Sequence, residues 1–210
     1  MNTNCVARTY ILILLTTVLV LCGCLGRSPQ TKFYLLHTLD SPEATEVVKT
    51  KEGLRIGVGP VELSEYLDRP QIVTQTSKSE LRVDQFNQWA ETLEFNIASV
   101  LARNLSTLLS TQNLFLFPWA GSTQIDYQAK LAIIEFKGTP GGNVILRAQY
   151  TILDGSKKLL KMNVVNVSQP ISAPGYEELV SSMSRALDEL GREIAQVIMA
   201  LPKEETELEP

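Results

Sequence analysis

Three consecutive β-strand patterns in the middle of the chain restrict the folds that it can adopt. They cover residues 127–137, 144–153 and 158–167, and the segments between them are GTPGGN and a short turn that begins with Asp154-Gly155. Connections this short join antiparallel neighbours, so the sequence predicts a three-stranded meander. In the middle strand every second residue is apolar, which predicts one buried face and one mostly wet face. The residues predicted to be buried are Val144, Leu146, Ala148, Tyr150 and Ile152.

Two long helical patterns can cover one face of such a sheet. Apolar residues recur at helical spacing over residues 88–109, and again from Tyr176, which follows Gly175, to Leu201. The polar face of the second pattern is not enriched in lysine, which favours packing on a sheet over binding to a membrane surface. That polar face comprises Ser181, Ser182, Arg185, Glu189, Arg192 and Gln196.

Shorter apolar runs predict the remaining strands, at residues 32–39, 54–63, 71–76, 80–83 and 114–117. Pro60 lies inside the second of them and needs an edge or bulge position, because proline has no N–H to donate to a neighbouring strand. At 210 residues the chain is long enough for one substantial core. We therefore predict a single α/β (α+β) domain with a mixed, mostly antiparallel sheet packed by two long helices.

The first 23 residues have the features of a signal peptide. Arg8 is their only side-chain cation, and an apolar run over residues 10–21 follows it. This run is too short for a bilayer core, which takes about 20 residues, although a short transmembrane anchor stays an alternative. The run ends in Leu-Cys-Gly-Cys, which resembles the lipobox of bacterial lipoproteins. We predict that Cys24 is lipidated, because Leu21 is too bulky for the position before an acceptor at Cys22.

This prediction divides the chain into four parts: a signal peptide (1–23), a lipidated tether (24–31), a folded domain (32–202) and a disordered acidic tail (203–210). Cys5 and Cys22 leave with the signal, so the mature chain keeps no thiol for a disulfide, a metal or catalysis. Removing Arg8 from 19 basic residues leaves 18 against 23 acidic ones, a net charge of −5. An acidic surface argues against nucleic-acid binding.

No pattern of catalytic or cofactor-binding residues stands out. His37 is the only histidine and has no cysteine or second histidine with which to share a metal. The segment that begins at Gly57 and ends at Pro60 lacks the third glycine and the lysine of a phosphate-binding loop, and indicates a bulge. We expect no enzymatic activity and no cofactor beyond the lipid on Cys24. A periplasmic hydrolase with a pair of carboxylates stays open, because nothing marks one pair among the 23 acidic residues.

Two blocks carry a resemblance to a known family: IGVGPVELSEYLDRPQIV at residues 56–73 and QWAETLEFNIASVLARNL at residues 88–105. With KFYLL near the start and the lipobox ahead of it, the chain resembles the PqiC (YmbA) family of ABC-type transport auxiliary lipoproteins over nearly its whole length. YLDRPQIV is the specific part. Thr92 departs from the proline that the family often has after Trp-Ala-Glu, but both residues suit a helix start.

The resemblance implies a lipoprotein on the periplasmic face of the outer membrane of a Gram-negative bacterium. It also implies an α/β fold and a partner, a tube-forming MCE-type (PqiB-like) subunit that carries lipids between the two membranes and supports envelope integrity. Leu25 follows Cys24, where an aspartate would retain the protein in the inner membrane. The transported lipid, the partner's identity and the oligomeric state, including a homo-oligomer, stay open.

We predict a partner-binding surface on two segments of these blocks. Tyrosine, arginine and tryptophan dominate interface hot spots, which favours Tyr66, Arg69 and Trp89. In the alternative, Tyr66 and Trp89 anchor the core while Asp68 and Arg69 form a local ion pair. A further alternative is a periplasmic lipid- or small-ligand-binding lipoprotein with a closed apolar pocket between sheet and helices. The predicted surface comprises Tyr66, Leu67, Asp68, Arg69, Pro70, Gln71, Trp89 and Glu91.

Overall fold

Eight strands and two helices form the part of the chain that a computed structural model describes, residues 29–38, 53–139 and 141–201. All of them lie in the compact unit that begins at Thr31. The predicted signal peptide, Cys24 and the acidic tail lie outside the described residues. In chain order the elements are β1 (Lys32–Tyr34), β2 (Ile56–Leu63), β3 (Gln71–Ser77), β4 (Glu80–Trp89), α1 (Leu93–Leu108), β5 (Leu114–Leu116), β6 (Tyr127–Gly138), β7 (Asn143–Asp154), β8 (Leu159–Pro170) and α2 (Tyr176–Ala200).

The strands form one mixed sheet. Its main path runs β1-β4-β3-β6-β2-β5, while β7 pairs with β6 and β8 off this path. Among the described residues, β1–β4, β2–β5, β2–β6 and β3–β6 are parallel, and three pairings are antiparallel. The expected α/β domain with two long helices is confirmed, but the expectation of a mostly antiparallel sheet is wrong. Short turns determine the antiparallel pairing only in the β3–β4 hairpin and the β6–β8 meander. The other strands are joined by longer connections, which allow β2 to pair in parallel with β5 and β6.

The meander is confirmed, and its strands are longer than predicted. The five apolar residues of the middle strand, from Val144 to Ile152, are at most 1% exposed and form the centre of the core. Asp154 ends β7 and stabilises the turn into β8. Its Oδ1 accepts hydrogen bonds from the Ser156 N–H (2.9 Å), the Ser156 hydroxyl (2.7 Å) and the Lys158 N–H (2.9 Å). These bonds, the one from the Ser156 side chain foremost, lower the pKa of Asp154 below its usual value.

The predicted irregularity at Pro60 is a bulge in β2. The register between β2 and β6 shifts between Val58 and Val61. The carbonyl of Gly59, left without its regular strand partner, accepts a hydrogen bond from the buried side chain of Gln128 at 2.8 Å. The bulge predicted for this segment is thus confirmed.

Both helices pack on the sheet, and each differs from its prediction at one point. Helix α1 begins at Leu93 rather than near residue 88, because Gln88 and Trp89 still belong to β4. Thr92 is its N-cap residue, as expected from the preference of threonine for helix starts, although its side chain makes no capping hydrogen bond. On α2, Ser182 was expected on the polar face but is fully buried, and its hydroxyl donates to the Pro170 carbonyl at 2.9 Å. Neither helix is long and apolar enough to cross a membrane.

Candidate functional site

The structure brings the two predicted interface segments together at one end of β3 and β4. The Trp89 N–H donates to the Pro70 carbonyl at 2.7 Å. Gln71, the first residue of β3, pairs with Gln88 of β4. Residues 66–71 and 89–91 therefore form one continuous region, which we call the DRP loop region after its exposed Asp68, Arg69 and Pro70.

Three apolar side chains support this region from below. Leu67 and Trp89 are 3% and 5% exposed and belong to the hydrophobic core. Tyr66 is half-buried against the same core, and its hydroxyl lies 3.5 Å from the Ile134 carbonyl. Burial raises the pKa of the Tyr66 phenol. Such side chains offer a partner little surface, so they hold the loop in place, as the core-anchor alternative expected.

Asp68, Arg69 and Pro70 are exposed, and the turn that carries them is closed by its own backbone. The N–H groups of Leu67, Asp68 and Arg69 donate to the carbonyls of Ser64 (2.8 Å), Glu65 (3.3 Å) and Leu67 (2.9 Å). The alternative expectation of a local Asp68–Arg69 ion pair is wrong, because the ion pairs among the described residues all lie elsewhere. Neither charge is paired with another charged side chain of the described residues.

Glu91 has a structural partner instead. Its half-buried carboxylate accepts a hydrogen bond from the Asn96 side-chain amide at 2.7 Å. The other end of that amide, Asn96 Oδ1, accepts the N–H of Leu36 at 2.6 Å. Glu91 thus fixes the buried Asn96, which joins the end of β1 to the first turn of α1.

A second polar cluster, which the sequence analysis missed, joins β1, β4 and α2. Asp84 Oδ1 accepts hydrogen bonds from the Phe86 N–H (2.9 Å), the Asn87 N–H (3.1 Å) and the Asn87 amide (2.9 Å). Its Oδ2 accepts the hydroxyl of Tyr176, the first residue of α2, at 3.1 Å. Burial raises the pKa of Asp84, but these hydrogen bonds outweigh it and keep the pKa below the usual value. An Asp followed by Asn three residues later inside a strand pattern is the signal that could have indicated such a turn.

Two cavities in the described part are partly open, unlike the closed apolar pocket of the ligand-binding alternative. A partly open cavity of about 210 Å³ lies between the β3–β4 hairpin and the start of α2, with Thr74, Arg82 and Tyr176 among its lining residues. Ligand pockets usually measure about 300–1,000 Å³. A larger, more open groove of about 480 Å³ runs between β1 and α2 and mixes the charged Glu177 with apolar Leu35.

The residues that the structure describes contain no cluster of metal-binding side chains. None of their His, Cys, Asp and Glu side chains come together in a group of three or more that could hold a metal ion. His37 is exposed just after β1, and its backbone N–H donates to the Ser184 hydroxyl at 3.1 Å.

Comparison with known proteins agrees with this architecture. The chain is 26% identical over 182 residues to the intermembrane transport lipoprotein PqiC of Escherichia coli K12, covering 87% of this chain and 94% of PqiC. Two crystal structures share its fold. One, of an uncharacterized protein, has a TM-score of 0.65 at 19% identity and covers 80% of this chain and 99% of that one. Protein XCC0632 of Xanthomonas campestris has a TM-score of 0.64 at 13% identity, covering 80% and 94% of the two chains.

The similarity to PqiC is distant, but a family match covers most of the folded domain. It extends from Tyr34 in β1 to Ala195 in α2 and includes the DRP loop region and the Asp84 cluster. The chain therefore belongs to the family of ABC-type transport auxiliary lipoprotein components.

Proposed function

We propose that this chain is the lipid-anchored docking subunit of an MCE-type intermembrane lipid-transport system, held at the periplasmic face of the outer membrane. The observation that carries the proposal is the family match over residues 34–195, together with similarity to an intermembrane transport lipoprotein over 87% of the chain. Membership in a family of transport auxiliary lipoproteins implies a non-catalytic role. An auxiliary subunit of this kind acts by binding, so its surface and its anchor determine its function.

The anchor is the lipid on Cys24. Two or more acyl chains, each contributing about 0.8 kcal/mol per buried CH₂, hold a domain at a membrane permanently. Tethering also raises the effective concentration of the domain towards any partner that reaches the same membrane, so a weak protein interface is sufficient.

Mass spectrometry of the envelope-extracted protein tests the anchor. Cys24→Ala should abolish acylation and leave the protein out of the outer-membrane fraction, whereas the matched variant Cys22→Ala should be acylated normally. Acylation of the Cys24→Ala variant would contradict the assignment.

The docking surface is the exposed part of the DRP loop region. Arg69 can donate to carboxylates or carbonyls of a partner in a fixed fork geometry, and no acidic side chain of the described residues occupies it. The backbone hydrogen bonds that close the turn fix its conformation before binding, which lowers the entropy cost of association. The core anchors Leu67 and Trp89 restrict it further.

A crosslinking pull-down from native envelopes tests both the function and the surface. Wild-type protein should capture an MCE-domain subunit, and Arg69→Glu should reduce the capture by at least about tenfold, as expected for loss of a hot-spot arginine. Arg103→Glu is the matched control, because Arg103 is an exposed arginine on α1 outside the region. Absence of any MCE-domain protein from the wild-type capture would refute the function. Equal capture by wild type and Arg69→Glu would refute only the placement of the surface.

A further inference from the structure

Three large apolar side chains at the edge of the sheet are exposed where a folded domain usually shows polar residues. Phe33 in β1 is 64% exposed, Leu35 just after β1 is 50% exposed, and Phe86 in β4 is 42% exposed. We call these three residues the β1 patch. Single exposed apolar residues are common, but three on adjacent segments form a patch that needs a physical reason.

Strand register places Phe33 and Phe86 on the same face. Tyr34 pairs with Trp89, and both side chains turn towards the core. Phe33 pairs with Gln88, one residue earlier, and therefore points to the opposite face. Phe86 lies two residues before Gln88 and shares that outer face.

The Asp84 cluster holds Phe86 in its exposed position. Between Val83 and Gln88, β4 has four residues opposite a single residue of β3, so the strand has a bulge there. Three hydrogen bonds to Asp84 Oδ1, one of them from the Phe86 N–H, fix the bulge, and the Tyr176 hydroxyl holds the carboxylate from the α2 side. The hydrogen bonds of Asp84 therefore hold the backbone of Phe86 in the position that exposes its side chain.

The β1 patch lies close to the anchor along the chain. Phe33 follows Cys24 by nine residues, which span at most about 30–32 Å when fully extended. On the outer face, Phe33 of β1, Gln88 of β4 and Gln71 of β3 pair in one row. The neighbours of Phe33 in this row are therefore two neutral amides. Embedding this row therefore desolvates no carboxylate. Leu35 lies at the margin of the patch, where it lines the groove between β1 and α2 together with Glu177 and Glu178.

We propose that the β1 patch is a membrane-contact site that enters the boundary between headgroups and acyl chains of the bilayer holding the anchor. The patch would lie flat on the lipid surface and fix the orientation of the domain, while the lipid on Cys24 supplies the permanent attachment. This inference rests on the proposed lipidation of Cys24. Amphipathic helices that lie in this boundary bury their apolar face about 5–10 Å deep, which sets the depth expected for the patch.

A fluorescent probe on the lipidated full chain tests the contact. In the mature protein an introduced cysteine is the only free thiol, because Cys5 and Cys22 are removed and Cys24 is acylated. Phe33→Cys and Phe86→Cys are labelled with an environment-sensitive fluorophore, and Phe117→Cys is the matched control. Phe117 is a 52% exposed phenylalanine next to β5, at the other end of the main strand path. The labelled proteins are reconstituted in phosphatidylethanolamine–phosphatidylglycerol vesicles with spin-labelled lipid as quencher.

Quenching at residues 33 and 86 should exceed that at residue 117 by at least about threefold, because a depth of about 5–10 Å brings only the patch within reach of the quencher. With the probe on Leu35→Cys, adding Phe33→Ser and Phe86→Ser should lower the quenching towards the control level, whereas adding Phe117→Ser should not. Equal quenching at all three positions on acylated protein would overturn the membrane contact alone. A protein whose mass shows no acyl chains would overturn the anchor as well.

Discussion

Replacing Trp89 by alanine separates the two roles that the sequence allows for this residue. Trp89 is 5% exposed and lies in the hydrophobic core at the end of β4. Removing a buried tryptophan side chain costs about 3–5 kcal/mol, because the lost contacts and the cavity add. For a domain of this size each kcal/mol lowers Tm by about 2–4 °C. We therefore expect Tm of Trp89→Ala to fall by about 6–20 °C in thermal unfolding followed by circular dichroism.

The matched variant is Arg69→Glu in the same region. Arg69 is exposed and makes no ion pair with another described residue, so its replacement should change the free energy of unfolding by less than about 0.5 kcal/mol. A Trp89→Ala protein with the wild-type Tm would refute the assignment of Trp89 to the core. Any loss of partner binding by Trp89→Ala must accordingly be compared with its loss of structure, whereas Arg69→Glu reports on the surface alone.

Three further predictions concern stability. The pKa of Asp84 is lower in the folded protein than in the unfolded chain, where it is about 3.9. The ionised carboxylate therefore stabilises the fold above the unfolded pKa, and this stabilisation is lost as pH falls through the folded pKa. Asp84→Asn should accordingly make the free energy of unfolding, measured in urea, decline less steeply below about pH 5. Gly57→Ala should cost about 1–3 kcal/mol and change tryptophan emission, because its Cβ would lie 2.6 Å from the Trp119 ring. Ser182→Ala should cost about 1 kcal/mol in urea unfolding, because it removes the buried hydrogen bond to Pro170.

Each of these three has its own check. An Asp84→Asn protein with the wild-type pH profile would show that the carboxylate is not held by the cluster. For Gly57, the loss of unfolding free energy caused by Gly57→Ala should be smaller in a Trp119→Leu background than in the wild type. An equal loss in the two backgrounds would contradict the contact between residue 57 and Trp119. For Ser182, the control is Gln196→Ala on the exposed face of α2, which should be nearly neutral.

The middle of the fold could be predicted because its signals are local. Alternating residues in β7 and the turn at Asp154 need no distant partner to be recognised, and both agree with the structure. The order of the remaining strands could not be predicted in this way. Strand β1 pairs with β4 across 55 residues, and β2 with β6 across about 70, and no short turn marks either parallel pairing.

The details of the DRP loop region escaped prediction for a related reason. Gln88 and Trp89 fit the helical spacing that continues into α1, but Trp89 donates its N–H to Pro70 and so completes β4. The pattern of apolar residues cannot show which distant carbonyl accepts a given N–H. Ser182 was misplaced similarly, because the partner that allows its burial is the carbonyl of Pro170 at the end of β8.

The way in which β1 is held has a mechanical consequence for a protein tethered at its N-terminal side. Three residues of β1 pair in parallel with β4, and the N–H groups of Leu36 and His37 bond to Asn96 and Ser184 on the two helices. Tension on the proposed tether would enter at Lys32 and run along the strand, so these bonds would bear the load together in shear and would not break one after another. A pull from the proposed lipid anchor on this three-residue strand would thereby be distributed over β4, α1 and α2.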